Sequence, residues 1–213
     1  MSNYIFYFSR SGNSLRASIA LELSGVLAES CFIDLKKKEH KAPEFMQVNP
    51  ARTVPVLVKT GQGGQPSMKL TQSGAIMDFL LEKYRPDLIP EALEAKAEAR
   101  ALVYSAVSDI AVQNALSFYM GEYGGERREN TAFLNSRLLD SVRASFQPVE
   151  EQKYLGGARP NIADYAHLPV IYMRETFLTK SRDTKPIISW MYRMLEEPAV
   201  TRALEYAGYQ RED

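Results

Sequence analysis

The sequence predicts an α/β unit followed by an all-helical one. Three observations carry this: strand and helix patterns alternate in the order βαβ-ββα up to residue 84, two prolines fall within residues 85–90, and beyond them helical spacing runs with no strand pattern of matching strength. The expected division is a first unit at 1–84, a linker at 85–90 and an all-helical domain at 91–213.

Tyr4–Phe8 is a continuous apolar and aromatic run, the pattern of a central strand. Ser9-Arg10-Ser11-Gly12-Asn13-Ser14 is turn chemistry, after which Leu15, Ile19, Leu23 and Val26 recur at helical spacing up to a stop signal at Gly25. Cys31-Phe32-Ile33-Asp34-Leu35 reads as a second strand, with Cys31 a small buried hydrophobe, and the right-handed crossover of a βαβ unit makes it parallel to the first. Residues 36–50 read as polar and irregular. Val54-Pro55-Val56-Leu57-Val58 and Met68-Lys69-Leu70, joined by the glycine-rich loop 61–66, form a hairpin. Thr71-Gln72-Ser73 then caps a helix carrying Ile76, Leu80 and Tyr84. Beyond the linker, residues 91–119 contain neither proline nor glycine and read as one long helix; further helices are expected over about 130–146, 161–177 and 186–196.

Composition narrows the function classes. A chain of 213 residues with 45% hydrophobic and 24% charged residues is not disordered. Twenty-six basic residues balance 26 acidic ones, so no net field draws it to nucleic acid or anionic lipid. One cysteine excludes a disulfide framework and a multi-thiolate zinc site, and suits a reducing compartment. Met1-Ser2-Asn3-Tyr4-Ile5 lacks a basic signal-type region, and no stretch approaches the ~20 apolar residues of a membrane span. The expectation is a cytoplasmic protein with no metal, no nucleic-acid partner and no membrane partner.

Phe45-Met46-Gln47-Val48-Asn49-Pro50, Thr53-Val54-Pro55-Val56-Leu57 and Leu70-Thr71-Gln72-Ser73-Gly74-Ala75-Ile76 follow one another in the order and spacing of known glutathione-site signatures. With the βαβ-ββα layout and the helical second half, they make nearly the whole chain resemble the cytosolic glutathione transferases, of the bacterial theta-, beta- and nu-like kind. Asn161-Ile162-Ala163-Asp164 is similar to the capping box of that family's central C-terminal helix. The resemblance implies a thioredoxin-like first domain, a cis Val54–Pro55 peptide, glutathione as co-substrate and a homodimer.

It also implies site residues. Thr53, Val54 and Pro55 would meet the cysteinyl unit of glutathione through backbone pairing. Gln72 and Ser73, at a helix start whose free amides suit a carboxylate, would hold the γ-glutamyl group. His40 would face the glycyl carboxylate, with Lys41 and Arg52 as substitutes. In the loop before the first helix, Ser11 matches the serine that activates the thiol, and Asn13 resembles the asparagine that nu-like enzymes place beside the sulfur. Tyr7 and Ser14 are the other hydroxyls available, and turn capping is a purely structural role open to the whole loop. Ser11-Gly12-Asn13-Ser14-Leu15 departs from the Ser-Ser-Cys-Ser-Trp loop of zeta isomerases, which speaks against maleylacetoacetate isomerase. The implied activity is conjugation of the glutathione thiolate to small hydrophobic electrophiles. The alternatives are glutathione-dependent disulfide or peroxide reduction and a non-catalytic scaffold. Tyr104, Ser108, Val112, Tyr119 and Tyr123 are uncommitted candidates for the electrophile pocket, and Asp109 for a contact to a partner subunit's glutathione.

Overall fold

Alternation along the first strand decides the first layer. In this computed structural model, which describes residues 3–61, 63, 65–123 and 128–209, Tyr4, Phe6 and Phe8 of β1 (Tyr4–Phe8) are buried on one face. Ile5 and Tyr7 are half-buried on the other. β1 pairs in parallel with β2 (Glu29–Phe32) and antiparallel with β3 (Val56–Thr60), which pairs antiparallel with β4 (Pro66–Thr71). The order β2-β1-β3-β4 is the mixed sheet of a thioredoxin-like unit. Of the hairpin loop, Gln62 and Gly64 lie outside the described residues.

α2 (Pro43–Val48) covers one face, where Phe45, Val56 and Val58 form a buried cluster against Ile5, Tyr7 and Val48. Toward the other face lie α1 (Gly12–Ser24), α3 (Ser73–Tyr84), which packs on α1, and a last helix, α10 (Pro198–Tyr206), which also packs on α1. Enclosed by both helices, α1 is buried continuously from Ser14 to Leu21. Its small Ala17, Ser18 and Ala20 suit such close packing, and Gly25 ends it with φ +65°, a conformation glycine adopts without strain.

Several expectations need correction. β2 spans Glu29–Phe32 rather than 31–35, because the partners of Ile5 to Phe8 are Glu29 to Phe32, and it is the sheet's edge. Cys31 is therefore half-buried, not core. Its thiol pKa is pushed up by burial and then by Glu29. The stretch read as irregular holds α2 and a 3₁₀ turn, Glu39–Lys41.

The chain divides into two compact units: Met1–Pro86 together with the segment from Glu197 onward, and Asp87–Glu196. The expectation assigned everything after residue 91 to the second domain. The closing segment instead rejoins the first because Tyr206 stacks on Phe8 at 4.8 Å and Phe6 at 6.4 Å, its hydroxyl hydrogen-bonds the Ser30 hydroxyl, and Arg202 Nε pairs with Glu22 Oε2 at 2.8 Å.

In the second unit the expected long helix is present as α4 (Leu93–Tyr104) and α5 (Ala111–Tyr123), joined without a break by a π-helical turn, Ser105–Ile110. α6 (Arg128–Phe146) packs antiparallel to it through polar contacts, Ser105–Ser145 at 2.9 Å, Gln113–Ser141 at 3.1 Å and Ser117–Asn135 at 2.6 Å. α7 (Ile162–Met173) is buried from Ile162 to Ile171; the expected continuation to 177 is a separate turn, α8 (Glu175–Leu178). The capping box is present: Asn161 Oδ1 accepts from the Ala163 amide at 2.8 Å, and Asp164 accepts from the amides of Asn161, Leu155 and Gly156 and from Trp190 Nε1 of α9 (Lys185–Leu195).

Candidate functional site

Register alone brings four segments to one end of the sheet. Tyr7 pairs with Cys31 on one side and Val56 on the other, and Val56 pairs with Thr71. The chain therefore leaves β1 into Ser9, leaves β2 toward Asp34, enters β3 from Pro55 and leaves β4 into Gln72, all at the same edge.

Ser11 is the N-cap of α1. Its Oγ accepts from the Ser14 amide at 3.2 Å and lies 3.1 Å from Ser14 Oγ, which in turn accepts from the Ser9 amide at 3.1 Å. Ser14 is fully buried beneath this network, Ser11 is half-buried, and Asn13 is exposed. Tyr7 packs edge-on to Phe45 at 5.9 Å, and burial, then Cys31 and Glu29, raise its hydroxyl pKa. Asn13 Oδ1 accepts from Arg16 Nη1 at 2.8 Å. The same nitrogen donates to Ser73 Oγ at 2.9 Å, and Ser73 Oγ lies 3.5 Å from Asn13 Oδ1. Arg16 is wholly buried, which brings its pKa down to about 10 and leaves it a cation at neutral pH.

The Val54–Pro55 peptide is cis, with Pro55 buried and Val54 half-buried. Buried Asn49 holds the approach: its Nδ2 donates to the Thr53 carbonyl at 2.8 Å and to Thr53 Oγ1 at 3.1 Å, while Oδ1 accepts from the Ala51 amide. Thr53 itself is exposed. Gln72, exposed, enters α3 with φ +71°, and no side chain caps that helix. The expected Thr71-Gln72-Ser73 cap is thus absent, because Ser73 is the first helical residue and its hydroxyl is engaged with Arg16. The first-turn amides of α3 remain without a side-chain acceptor at the N-cap.

His40 sits half-buried in the 3₁₀ turn, and its buried Nδ1 makes no hydrogen bond among the described residues. The turn is ordered by Asp34, whose carboxylate accepts from the amides of Lys36 at 2.9 Å and Lys37 at 3.1 Å, and by Glu39 Oε2, which accepts from the Asp34 amide at 2.7 Å. The Lys37 amide first, and the Lys36 amide and both ammonium groups after it, hold the Asp34 carboxyl below its usual range. Ser11, Asn13 and Ser73 are thus joined by hydrogen bonds. Val54–Pro55 and Gln72 stand beside them by register, and His40 is on the fourth segment of the same edge. Sequence reasoning missed Arg16. The available signal was a lone cation three residues after Asn13 on an otherwise apolar and small-residue helix. Among the described residues, no three His, Cys, Asp or Glu side chains cluster as a metal site would require.

A family model for the glutathione S-transferase N-terminal domain matches residues 2–82. The maleylacetoacetate isomerase of Rhizobium meliloti (strain 1021) is 31% identical over 179 residues, 79% of this chain and 79% of that protein. The chain belongs to the cytosolic glutathione S-transferase superfamily. Another glutathione S-transferase relative, F9 of Arabidopsis thaliana, is 27% identical over 86% of this chain and 88% of its own. The crystal structure of a glutathione transferase family member from Pseudomonas fluorescens pf-5, with two glutathione bound, shares the fold with a TM-score of 0.83 at 22% identity, covering 95% of this chain and 92% of that one.

The second unit carries Tyr104, Ser108, Asp109, Val112 and Tyr119 exposed along α4, the π turn and α5; the side chain of Tyr123 lies outside the described residues. Among the described residues, no helix is long and apolar enough to cross a membrane.

Proposed function

We propose that the protein conjugates glutathione to small hydrophobic electrophiles, with Ser11 donating to the thiolate and Asn13 assisting. The observation that supports this reading is the convergence at one sheet edge of a hydroxyl on the first turn of α1, the cis Val54–Pro55 peptide and the uncapped start of α3. An ordinary thiol with a pKa near 8.5 is only ~3% ionised at pH 7, so the protein must favour the anion. Ser11 Oγ donates to Ser14 Oγ across 3.1 Å, and turning that proton from Ser14 to the sulfur would supply the hydrogen bond to the thiolate. The dipole at the start of α1 adds to this. At α3 the amide of Ser73 and its neighbours take the γ-glutamyl carboxylate, the Val54 backbone pairs with the cysteinyl unit beside Thr53 and Pro55, Gln72 borders the γ-glutamyl end, and His40 faces the glycyl carboxylate. The thiolate then forms the carbon–sulfur bond while the electrophile's leaving group departs with its electron pair, or its activated double bond takes a proton.

Exposed Leu116, Phe118 and Phe133 on α5 and α6 support a homodimer. The single cysteine supports a cytoplasmic setting and the balanced charge a protein without nucleic-acid partners; a role in detoxification rests on the proposed conjugation alone.

Disulfide or peroxide reduction is the second reading. It is favoured by the absence of cysteine from the loop, which makes a second glutathione the natural partner of the thiolate, and by the two glutathione molecules in the Pseudomonas fluorescens structure. Thermal unfolding with glutathione tests the common ground: at 100 times its dissociation constant the ligand adds about 2.7 kcal/mol. Turnover of an aryl halide against a mixed disulfide separates the two readings. No stabilisation at millimolar glutathione would leave the scaffold reading in place of both.

A further inference from the structure

We propose that Arg16 is a positioning residue that turns the Asn13 amide and the Ser73 hydroxyl outward as hydrogen-bond donors and ties the two ends of the glutathione site together. The inference rests on the functional reading above and deepens it.

Arg16 is buried, on the side of α1 that meets α3, and it bridges two residues 57 and 3 positions away through one nitrogen. A guanidinium has donors and no acceptor. Whatever faces it must present an oxygen, so the Asn13 amide cannot flip: Oδ1 is held at 2.8 Å and the NH₂ group is left on the opposite, exposed side. The same logic fixes Ser73. Its Oγ accepts from Arg16 at 2.9 Å, and its single proton remains to be given away. Among the described residues that proton goes to Asn13 Oδ1, at a long 3.5 Å. Both groups are thereby set to donate to anions, one toward the thiolate beside Ser11, the other toward the carboxylate at the start of α3. The cation also lies behind both anions in a region of low dielectric, where its field is weakly screened.

Burying a cation is costly, and here it stands where two short polar residues from separate helices meet. A purely structural link between α1 and α3 could be made by apolar side chains without burying a charge.

The test uses Arg16→Met, Arg16→Lys, Asn13→Ala and Asn13→Asp in the full chain. In ligand-free protein, the Asn13 side-chain amide resonances, assigned by their loss in Asn13→Ala, should collapse toward solvent-averaged positions in Arg16→Met. With glutathione bound, Arg16→Met should raise the thiol's acid constant exponent by about one unit, a tenfold loss of thiolate, and weaken binding by a similar factor. Arg16→Lys should recover most of both. In the Asn13→Ala background the effect of Arg16→Met on the thiol should shrink by more than half, the mark of action through the amide.

Undiminished additivity would overturn the proposal, since the charge would then act through space alone. Unchanged amide resonances in Arg16→Met would overturn it as well, whatever glutathione does. If wild type binds no glutathione, the functional reading falls while the amide spectrum still judges the link. Should Arg16→Met fail to fold, Asn13→Asp carries the test: its carboxylate should take the guanidinium bond and raise the melting midpoint above that of Asn13→Ala, with a bound thiol that titrates higher. Equal midpoints would refute the link.

Discussion

Replacing Ser11 by alanine removes two things that the structure separates. The first is a cap: Ser11 Oγ accepts from the Ser14 amide at 3.2 Å, and losing such a cap costs about 1 kcal/mol, or a fall of roughly 2–4 °C in melting midpoint for a chain of this size. The second is the proposed donor to the thiolate. A hydrogen bond to a charged group contributes about 1.5–3 kcal/mol, and with the Asn13 amide and the α1 dipole still in place the lower end applies, about one pKa unit. If the bound thiol starts near 6.5, its ionised fraction at pH 7 falls from roughly three quarters to one quarter. Ultraviolet titration of bound glutathione measures this without any choice of electrophile. Ser11→Asp splits the two roles, because a carboxylate caps α1 as well as serine does but repels the thiolate. It should keep the wild-type midpoint and raise the thiol pKa beyond the alanine variant. Asn13→Ala strips the buried Arg16 guanidinium of an acceptor held at 2.8 Å, so it should lower the midpoint too, with a smaller rise of the thiol pKa than Ser11→Ala gives. A lowered midpoint in Ser11→Ala with an unchanged thiol would refute the activation role and leave Ser11 a cap alone.

Three other outcomes are expected. Asp164→Ala strands four N–H donors held at 2.7–2.9 Å inside the second unit, so chemical denaturation should show a loss of about 3–5 kcal/mol, against about 1 for an ordinary cap; a loss under 2 would mean that water replaces the carboxylate. Tyr4, 3.0 Å from the Tyr84 hydroxyl, has its pKa pushed up to about 12, chiefly by burial. A raised folded-state pKa gives stability that is whole below the unfolded value near 10 and is lost as pH rises through 12, so Tyr4→Phe should flatten the alkaline stability curve over that window. Cys31, with its thiol pKa raised and its place on the edge strand, should react slowly with iodoacetamide at neutral pH, and its alkylation should leave turnover intact; rapid inactivation that glutathione prevents would place it at the site after all.

Much of this was legible in advance where one residue type admits few environments. The aromatic run at Tyr4–Phe8 and the apolar Val56-Leu57-Val58 fix an interior pair, and the pairing of Tyr7 with Val56 follows from them. Asn161 and Asp164 announced their capping box through a local rule that needs no tertiary knowledge. The misses share a different cause. β2 is an edge strand whose bounds come from its partner, so its own mixed sequence carried little signal. α2 has six residues and α10 nine, too few for periodicity to stand out, and both exist because of what they cover. Ser11 and Asn13 could be singled out from the loop, but Arg16 could not. Its role depends on Ser73, far along the chain, and only the packing of α1 on α3 brings the two together.

The return of α10 has a consequence for synthesis. The thioredoxin-like unit is written in two pieces, with the helical unit inserted between them, so the ribosome makes α10 only after the whole of Asp87–Glu196. Until then Phe6 and Phe8 lack the ring of Tyr206, and Glu22 lacks Arg202. A nascent chain must hold an unclosed sheet through the translation of more than a hundred residues. A fragment cut at the proline segment would expose that same apolar face permanently, and a chain cut before Pro198 would damage the half of the molecule that is encoded first.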